Sequence, residues 1–416
     1  MVKEVDMNKK NRIIALLLAF VLVFSGCASK EDPGEEKLNI VKTEKIEEKE
    51  APAEEGREEE QEKAEEDISI NIVATGDILN HMPVIDSARK DGGFDFRPHY
   101  DDIKPLVEKA DLAIANFEST MSKELGDYET YPLFNVPDEV ADGLKYAGFD
   151  VLTTANNHCN DFKREGIILT IEAIEKAGLK HVGTQKEKQE DNTLYMDVKG
   201  IQVAIISVTQ SFNGTESWLS EEDFDAMVNP IGDGDRVVED IKKAREKGAD
   251  LVIVYPHWGE EYILRSNDYE QMMGDKFIEA GADLIFGSHA HVLQEAKMFD
   301  KPDGSKGFII YSMGNTISNQ RIETMSGYIG ENLAAYTEIG VLASVDVSKK
   351  DGKIQIDHVD LIPTWVDKQS DGQGNNSFKI LNTNNYREND GSMTEAKFNR
   401  IQSARQKAIE VFDFNF

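Results

Sequence analysis

From Asp67 onward, short apolar runs alternate with amphipathic stretches, and the apolar runs end in polar residues. Six runs predict buried strands: ISINIVATGD, DLAIANFE, FDVLTTANNH, IQVAIISVT, DLVIVYPHWG and DLIFGSHAH. The stretches between them predict helices, over residues 102–110, 138–147, 164–177, 236–247 and 269–280. Strands that alternate with helices in this way are typical of an α/β domain.

Beyond residue 295 the pattern changes to apolar runs joined by turn signals. PDG at 302–304 and KKDGK at 349–353 each lie between two such runs, and both predict β hairpins. A terminal amphipathic helix is predicted over 394–411, because apolar residues recur there at helical spacing. Residues 211–230 and 366–393 are predicted as loops.

The amino-terminal segment is typical of an export signal. A basic start precedes an apolar run from Ile13 to Phe24, which suits a secretory signal and is short for a membrane-spanning helix. FSGC resembles a bacterial lipobox, in which the cysteine, here Cys27, is lipidated and becomes the first residue of the mature protein. We therefore expect an exported lipoprotein at the extracytoplasmic side of the cell membrane; ordinary cleavage or an uncleaved anchor is the alternative.

The next segment is dominated by Glu and Lys and has no aromatic residue from Glu31 to Asp67. Such a sequence cannot bury enough apolar surface to offset its chain entropy, so it predicts a disordered linker, with a charged helix in its second half as the alternative. We expect a signal peptide over 1–27, an acidic linker over 28–67, a folded domain over 68–365, and a carboxyl-terminal loop and helix over 366–416. The formal net charge of −32 argues against a nucleic-acid partner.

Residues able to bind a metal ion follow several of the predicted strands. In α/β sheets the loops that leave the carboxyl ends of the strands meet at one edge, so we expect these side chains to converge. His289 and His291 are two residues apart, and in an extended segment they would point to the same side. A single histidine at such a place is more often structural, but carboxylates, imidazoles and amide oxygens together favour a Zn, Mn or Fe site. The residues are Asp77, Asn116, Glu118, Asn157, His158, His257, His289 and His291.

These residues resemble, in order, the motifs of the calcineurin-like metallophosphoesterases. More closely, GFDVLTTANNHCNDF, PHWGEEY, GADLIFGSHAHVLQ and YSMGN resemble the bacterial capsule synthesis family CapA, which is associated with poly-γ-glutamate. The resemblance covers residues 70–316. It implies a metallophosphoesterase-like sandwich of two mixed β-sheets flanked by helices, with carboxyl-terminal β hairpins and a terminal helix.

The resemblance also implies a metal centre with one or two divalent transition metal ions: Mn, Fe or Zn. Two ions that share a carboxylate activate a water and stabilise the oxygen that gains charge. The implied ligands are Asp77 and His291 for one ion, Asn157, His257 and His289 for the other, and Glu118 between them.

The remaining candidate site residues are His158, whose role the resemblance implies, and Asp161, which lies three residues further on in NNHCND. His158 would act near the substrate as a proton donor or oxyanion stabiliser. Asp161 would orient His158 or cap the helix that follows it, and capping is the expected role. Metallophosphoesterases have Asp-x-His at the first strand, whereas here Leu79 stands at that position and His81 lies two residues further on.

We therefore expect the protein to act in the synthesis or processing of a capsular polymer, through a metal-dependent hydrolase-like site. The expected partners are the cell membrane through the lipid anchor, poly-γ-glutamate or another capsular polymer, and membrane synthase subunits. Two alternatives are a non-catalytic accessory subunit of a polymer synthase or export complex, and a general secreted metallophosphoesterase.

Overall fold

The computed structural model describes residues 67–301, 303–387 and 393–412. The predicted signal peptide, the lipidation at Cys27 and all but the last residue of the predicted linker lie outside these residues. Within the described part of the chain, no helix is both long and apolar enough to cross a membrane.

Two mixed β-sheets form the framework of the domain. The larger has eight strands in the order β16-β15-β14-β1-β4-β5-β6, with β13 paired to β1, and the smaller has six in the order β11-β12-β10-β9-β8-β7. A separate short pair joins β2 and β3. The strands are β1 (Ile68–Ile78), β2 (Arg89–Lys90), β3 (Gly93–Phe94), β4 (Leu112–Phe117), β5 (Val151–Thr153), β6 (Lys180–Val182), β7 (Leu194–Val198), β8 (Ile201–Thr209), β9 (Leu251–His257), β10 (Leu284–Phe286), β11 (Ala296–Asp300), β12 (Lys306–Ile310), β13 (Asn315–Ile317), β14 (Ile339–Lys350), β15 (Lys353–Ser370) and β16 (Asn376–Asn382).

Helices cover the outer faces of both sheets. They are α1 (Met82–Ser87), α2 (Arg97–Tyr100), α3 (Lys104–Val107), α4 (Glu139–Ala147), α5 (Lys163–Lys176), α6 (Glu221–Met227), α7 (Asp235–Glu246), α8 (Asp268–Ala280), α9 (Ile322–Ile329), α10 (Glu331–Ala334) and α11 (Glu395–Phe412), with 3-10 turns at Lys123–Leu125, Glu216–Trp218 and Thr383–Asn385. One apolar cluster joins α4 to the larger sheet, and another joins α7 and α8 to the smaller sheet. These outer layers confirm the predicted α/β class.

The central core lies between the two sheets. Ile72 and Ile114 of the larger sheet pack in one cluster with Ile205 and Ile253 of the smaller, and all four side chains are fully buried. Strands β1, β4, β9 and β10 are buried along nearly their whole length, as expected where both faces of a sheet are covered. The predicted sandwich of two mixed sheets is confirmed.

Most predicted elements are present within one or two residues of their predicted ends. All six predicted strands form, and the helices predicted from 138 onward correspond to α4, α5, α7, α8 and α11. Both hairpins are confirmed as the antiparallel pairs β11–β12 and β14–β15. Asp351 and Gly352 both have positive φ (50° and 72°), which suits the tight turn between β14 and β15.

Three predictions of secondary structure are wrong. The predicted loop over 366–393 contains the end of β15 and all of β16, so β15 also crosses the boundary predicted between 365 and 366. Strand β16 is short and flanked by Asn and Gly residues, and its pairing with β15 stabilises it. The predicted loop over 211–230 contains α6, which Ser220 caps by accepting a hydrogen bond from the backbone of Asp223. The helix predicted over 102–110 is only α3, which begins at the residue before Pro105.

Candidate metal centre

The predicted ligands come together where the carboxyl ends of strands from both sheets meet. Strands β1, β4 and β5 of the larger sheet lead into Asp77, Glu118 and Asn157, and β9 and β10 of the smaller sheet lead into His257, His289 and His291. All six side chains are buried, and His289 is the most exposed of them at 9%. Their convergence follows from the parallel arrangement of the strands, which places the loops at one edge.

Two groups of possible ligands share one carboxylate. Glu118, His257 and His289 form the first, and Asp77, Glu118 and His291 form the second; in each group the ligand atoms lie within 4.8 Å of one another. Glu118 Oε1 lies 3.6 Å from His257 Nε2 and 3.8 Å from His291 Nε2. Glu118 therefore lies between two imidazoles that belong to different groups.

Asn157 joins the first group through its amide oxygen. Its Oδ1 lies 2.8 Å from His257 Nε2, and His289 Nδ1 lies 3.1 Å from the same nitrogen. On the other side of the ring, His257 Nδ1 lies 3.0 Å from Ser288 Oγ. The Asn157 amide oxygen and the His289 ring nitrogen thus both lie within hydrogen-bonding distance of His257 Nε2.

The second group is held by neighbours on β4 and β13. Asp77 accepts a hydrogen bond from the Asn116 amide (2.8 Å), and its Oδ2 lies 3.1 Å from His291 Nδ1. Asn315 Oδ1 lies 3.1 Å from the same ring nitrogen, while the Asn315 amide donates to the carbonyl oxygens of His291 and Thr337. These contacts fix the rotamers of both Asp77 and His291.

The backbone of the GSHAH segment differs from the extended conformation expected from sequence. His289 and His291 both have positive φ, 97° and 56°, so the i, i+2 argument does not describe how they converge. A tight bend aims both rings at the centre, and positive φ in non-glycine residues is strained and recurs at functional sites. Gly287 matters here for space, since a Cβ at this position would overlap the carbonyl oxygen of Tyr311.

Glu118 has the least satisfied charge of the centre. Both of its carboxylate oxygens are buried without a hydrogen-bond partner among the described residues. Burial raises the pKa of Glu118 to about 8, with His291 opposing and Asp77 adding to the rise. A buried carboxylate with no donor is costly, and a cation between Glu118 and the imidazoles would remove that cost. The donor set therefore fits divalent transition metal ions.

The imidazoles differ in charge state. Burial and the neighbouring imidazoles hold the pKa values of His257 and His289 down to about 3, so both rings are neutral and able to bind metal. For His291 burial acts in the same direction, but Glu118 and Asp77 outweigh it and raise its pKa to about 10. Without a metal ion, a proton on His291 offsets part of the negative charge.

Comparison with known proteins identifies the family. Residues 71–320 match the family model described as bacterial capsule synthesis protein PGA_cap, and this segment is more than half of the chain. The chain belongs to this family. All six predicted ligands of this PGA_cap member lie within the matched segment, and the resemblance to the bacterial capsule synthesis family is confirmed.

Two curated relatives are capsule proteins of Bacillus. The chain is 31% identical over 269 residues to the capsule biosynthesis protein CapA of Bacillus anthracis, covering 62% of this chain and 62% of that protein. It is 29% identical over 226 residues to the PGA biosynthesis protein CapA of Bacillus subtilis, covering 52% of this chain and 56% of that protein. The chain thus spans about three fifths of the length of the curated relatives it matches.

A solved structure with a similar arrangement is the calcineurin-like phosphoesterase YfkN from Bacillus subtilis. The match has a TM-score of 0.39 and 16% sequence identity, and it covers 83% of this chain and 99% of that chain.

His158 lies beside the centre and is oriented by Asp161. Asp161 Oδ2 accepts a hydrogen bond from His158 Nδ1 at 2.7 Å and another from the backbone of Phe134 at 2.7 Å. Burial lowers the pKa of His158, but the hydrogen bond and charge of Asp161 outweigh it and raise the pKa. The capping role expected for Asp161 is wrong, because α5 begins after Phe162 and no side chain caps it.

Sequence reasoning missed Asn213, which joins two residues of the site. Its Oδ1 accepts a hydrogen bond from the Asn157 amide at 3.2 Å, and its own amide lies 3.4 Å from His158 Nε2. This contact turns the Asn157 oxygen towards His257. The available signal was the dipeptide Asn213-Gly214, in which both residues have positive φ, as a tight turn requires.

Two further features of the chain carry no comparable chemistry. Cys159, the residue after His158, is buried, and burial raises the pKa of its thiol to about 12, so it is inert. A groove of about 860 Å³ lies at the opposite ends of β9 and β10, lined by Arg245, Asp283 and Lys301 among others. Its buried carboxylate, Asp283, is ion-paired with both Arg245 and Lys301, so the groove has no unpaired buried charge there.

Proposed function

We propose that this PGA_cap protein is an exported lipoprotein that hydrolyses bonds in poly-γ-glutamate or a related capsular polymer through a metal centre. The observation that carries the proposal is Glu118, a carboxylate buried between His257 and His291 that has no hydrogen-bond donor in the described part of the chain. The motif of the amino-terminal segment and the names of the Bacillus relatives support the location and the substrate class.

The ligand assignment follows the two groups that share Glu118. Asp77 and His291 would hold one ion, Asn157, His257 and His289 the other, and Glu118 would contact both. Bound divalent ions supply Lewis-acid activation of water and stabilise negative charge on oxygen. Imidazole, carboxylate and amide ligands together suit Mn, Fe or Zn.

His158 is the proton donor in this proposal. Because His158 Nδ1 is held by Asp161, its other nitrogen, Nε2, faces the Asn213 amide. In the neutral ring Nε2 accepts from this amide, and in the protonated ring Nε2–H is presented to the substrate in place of that contact. The raised pKa of His158 keeps a larger fraction of the ring protonated near neutral pH. As water adds to the carbonyl carbon and the C–N bond breaks, Nε2–H gives its proton to the leaving nitrogen. One proton of the water then restores Nε2–H and the other goes to the released amine, so the products are a carboxylate and an ammonium group.

The acidity of the chain does not oppose a polyanionic substrate at this site. Of the 78 acidic residues, many lie in the segment before Asp67, outside the described domain. Cations bound at Glu118 and Asp77 would make the local field positive, and local charge governs the approach of a charged ligand.

The test combines metal analysis with a hydrolysis assay. The full-length chain is purified in detergent, its metal content is measured by elemental analysis, and poly-γ-glutamate is added with release of new amino groups as the readout. We expect up to two ions per chain and measurable hydrolysis, both lost in Glu118→Gln and retained in Glu279→Gln, a control at an exposed helix position. Metal-loaded protein without hydrolysis of any capsular polymer would support an accessory role instead.

A further inference from the structure

A polar recess adjoins the metal centre on the side of β13. Strands β1 and β13 are parallel neighbours, with Asp77 opposite Asn315, so the segments that follow them run side by side. His81 Nδ1 consequently lies 3.4 Å from Ser318 Oγ and 3.3 Å from the backbone nitrogen of Asn319. We call the cluster of His81, Ser318, Asn319 and Lys368, in which Ser318 is buried and the other three are half-buried, the His81 recess.

The hydrogen bonds of His81 determine which ring nitrogen carries the proton. Nδ1 lies 3.3 Å from both the Asn319 N–H and the carbonyl oxygen of Leu79. A backbone N–H can only donate, and the Leu79 carbonyl already accepts from the His81 backbone, so Nδ1 acts as the acceptor from Asn319. Burial, with the charges of His291 and His158, lowers the pKa of His81 to about 4, so the ring is neutral and its hydrogen is on Nε2.

Phe134 connects the recess to the proton donor of the centre. The His81 ring meets the Phe134 ring edge-on at 5.3 Å between centroids, and Phe134 meets His158 edge-on at 4.7 Å. Phe134 is fully buried and forms an apolar wall between the two imidazoles. His81 and His158 therefore pack against the same side chain, with Phe134 between them.

Lys368 supplies a cation to the same recess. Its Nζ donates to Asn319 Oδ1 at 3.3 Å and lies 5.5 Å from the centre of the Phe378 ring. Glu323, whose negative charge raises the pKa of Lys368, is already paired with Arg321 and Arg400. Lys368 itself forms no ion pair among the described residues, and burial together with the charge of Arg321 lowers its pKa.

The charges around Lys368 do not cancel. The buried carboxylate Glu338 accepts from Arg400 at 2.6 Å and lies 3.7 Å from Arg321, and Glu323 pairs with the same two arginines. The three cations Arg321, Arg400 and Lys368 therefore outnumber the two carboxylates of the cluster. The excess positive charge lies at Lys368, next to the recess. An anion bound there would balance the cluster.

We propose that Lys368 and the Nε2–H of His81 bind a carboxylate of the polymer chain whose scissile bond lies at the metal centre. This subsite rests on the proposed function and names the feature by which the centre would select its substrate. Only four positions separate Asp77 from His81, and the backbone turns between them, with the His81 N–H bonded to the Leu79 carbonyl, so the recess lies beside the centre. A polymer with a carboxylate on every residue presents one close to the bond being cleaved, whereas an uncharged polymer does not.

The test is direct binding of a defined probe. A synthetic γ-linked glutamate decamer is titrated calorimetrically into the full-length chain, together with a decamer whose free carboxylates are amidated, and inorganic phosphate. We expect Lys368→Ala to weaken binding of the acidic decamer about tenfold at low salt and to leave the amidated decamer unchanged, as loss of one charged hydrogen bond predicts. Lys407→Ala is the matched control, because Lys407 also lies over an aromatic ring, 4.5 Å from the centre of Tyr336, on α11.

His81 is tested by its own pair of variants. His81→Ala should weaken the acidic decamer, and His81→Gln, which restores an N–H donor, should recover part of the affinity. Metal content should be unchanged in both, since neither replaces a ligand of the centre. Equal loss of affinity in His81→Gln and His81→Ala would show that the ring serves only packing against Phe134.

The outcomes separate the subsite from the proposed function. Reduced binding in Lys368→Ala without any hydrolysis by the unaltered protein would support the subsite and contradict the proposed function. Hydrolysis with equal affinity for the acidic and amidated decamers, or no binding of the acidic decamer, would overturn the subsite. Phosphate that competes fully with the decamer would show a general anion site in place of a carboxylate subsite.

Discussion

Asp161 accepts a hydrogen bond from His158 Nδ1 at 2.7 Å, and this contact fixes the orientation of the imidazole beside the metal centre. Asp161 is 3% exposed and also accepts from the backbone of Phe134, so its own position is fixed from two sides. The arrangement resembles other sites in which a buried carboxylate selects one histidine tautomer and stabilises the protonated ring.

Replacing Asp161 with Asn should lower hydrolysis while leaving the metal content unchanged. An amide can hydrogen-bond the wrong tautomer and no longer stabilises the protonated ring, so we expect a fall in kcat of about 10²- to 10⁴-fold. The measurement is the rate of amino-group release with elemental analysis of the same sample. Asp223→Asn, which alters a partly exposed aspartate paired with Arg164, is the control. An unchanged rate in Asp161→Asn would remove His158 from the mechanism.

Replacing Glu118 with Gln should stabilise the metal-free protein. The native carboxylate is buried and has no donor among the residues that the structure describes, and removal of such a group recovers about 1–3 kcal/mol of unfolding free energy. The folded-state pKa of about 8 is above the ordinary pKa of a glutamate carboxyl, 4.5, so the metal-free protein loses stability as pH rises from 4.5 through 8 and the variant does not. Urea unfolding after chelator treatment at pH 5 and pH 8 measures both effects, and a destabilised Glu118→Gln at pH 8 would contradict them.

Metal affinity should rise with pH. His291 and Glu118 hold protons in the metal-free protein, because their pKa values are about 10 and about 8, and metal binding must displace them. Each displaced proton makes the affinity increase about tenfold per pH unit below the pKa. A competition titration with a chelating dye between pH 6 and pH 8 checks the slope; an affinity independent of pH would show that neither group is a ligand.

Single ligand variants should remove the ions separately. His257→Ala affects only the group formed with Glu118 and His289, so we expect the chain to keep the ion held by Asp77 and His291. His291→Ala should have the converse effect, and Glu118→Ala should lose both ions, because only Glu118 is shared. Elemental analysis of the three variants gives the count. Equal metal content in His257→Ala and the unaltered protein would contradict the two-group arrangement.

Replacing Arg400 with Ala should destabilise the attachment of the carboxyl-terminal helix α11. Arg400 donates to both oxygens of the buried Glu338 at 2.6 Å, and its loss leaves that carboxylate with weaker partners. Arg400 is partly exposed, so we expect a loss of about 1–3 kcal/mol, below that for a fully buried pair. Urea unfolding measures it, with Arg405→Ala, an exposed position on the same helix, as the control. Equal stability of the two variants would count against the ion pair.

Long periodic elements and the identity of the site residues were readable from sequence. Strands such as β1 and β9 are continuous apolar runs, and helices such as α8 have both a regular pattern and a cap, so local signals alone predict them. Strand β16 was not predicted, because seven residues with polar neighbours become a strand only when β15 supplies the hydrogen bonds.

The strand pattern together with the order of motifs determined which residues would be candidates, because residue type and position at a strand end are local properties. Only the tertiary structure decided how they meet: His289 and His291 converge through left-handed backbone conformations, and Asp161 bonds His158 instead of capping α5. The contact of Asn213 with Asn157 and the position of Lys368 beside His81 also depend on segments far apart in the chain. Contacts of this kind have no local signature, since they arise from the packing of two sheets and the loops between them.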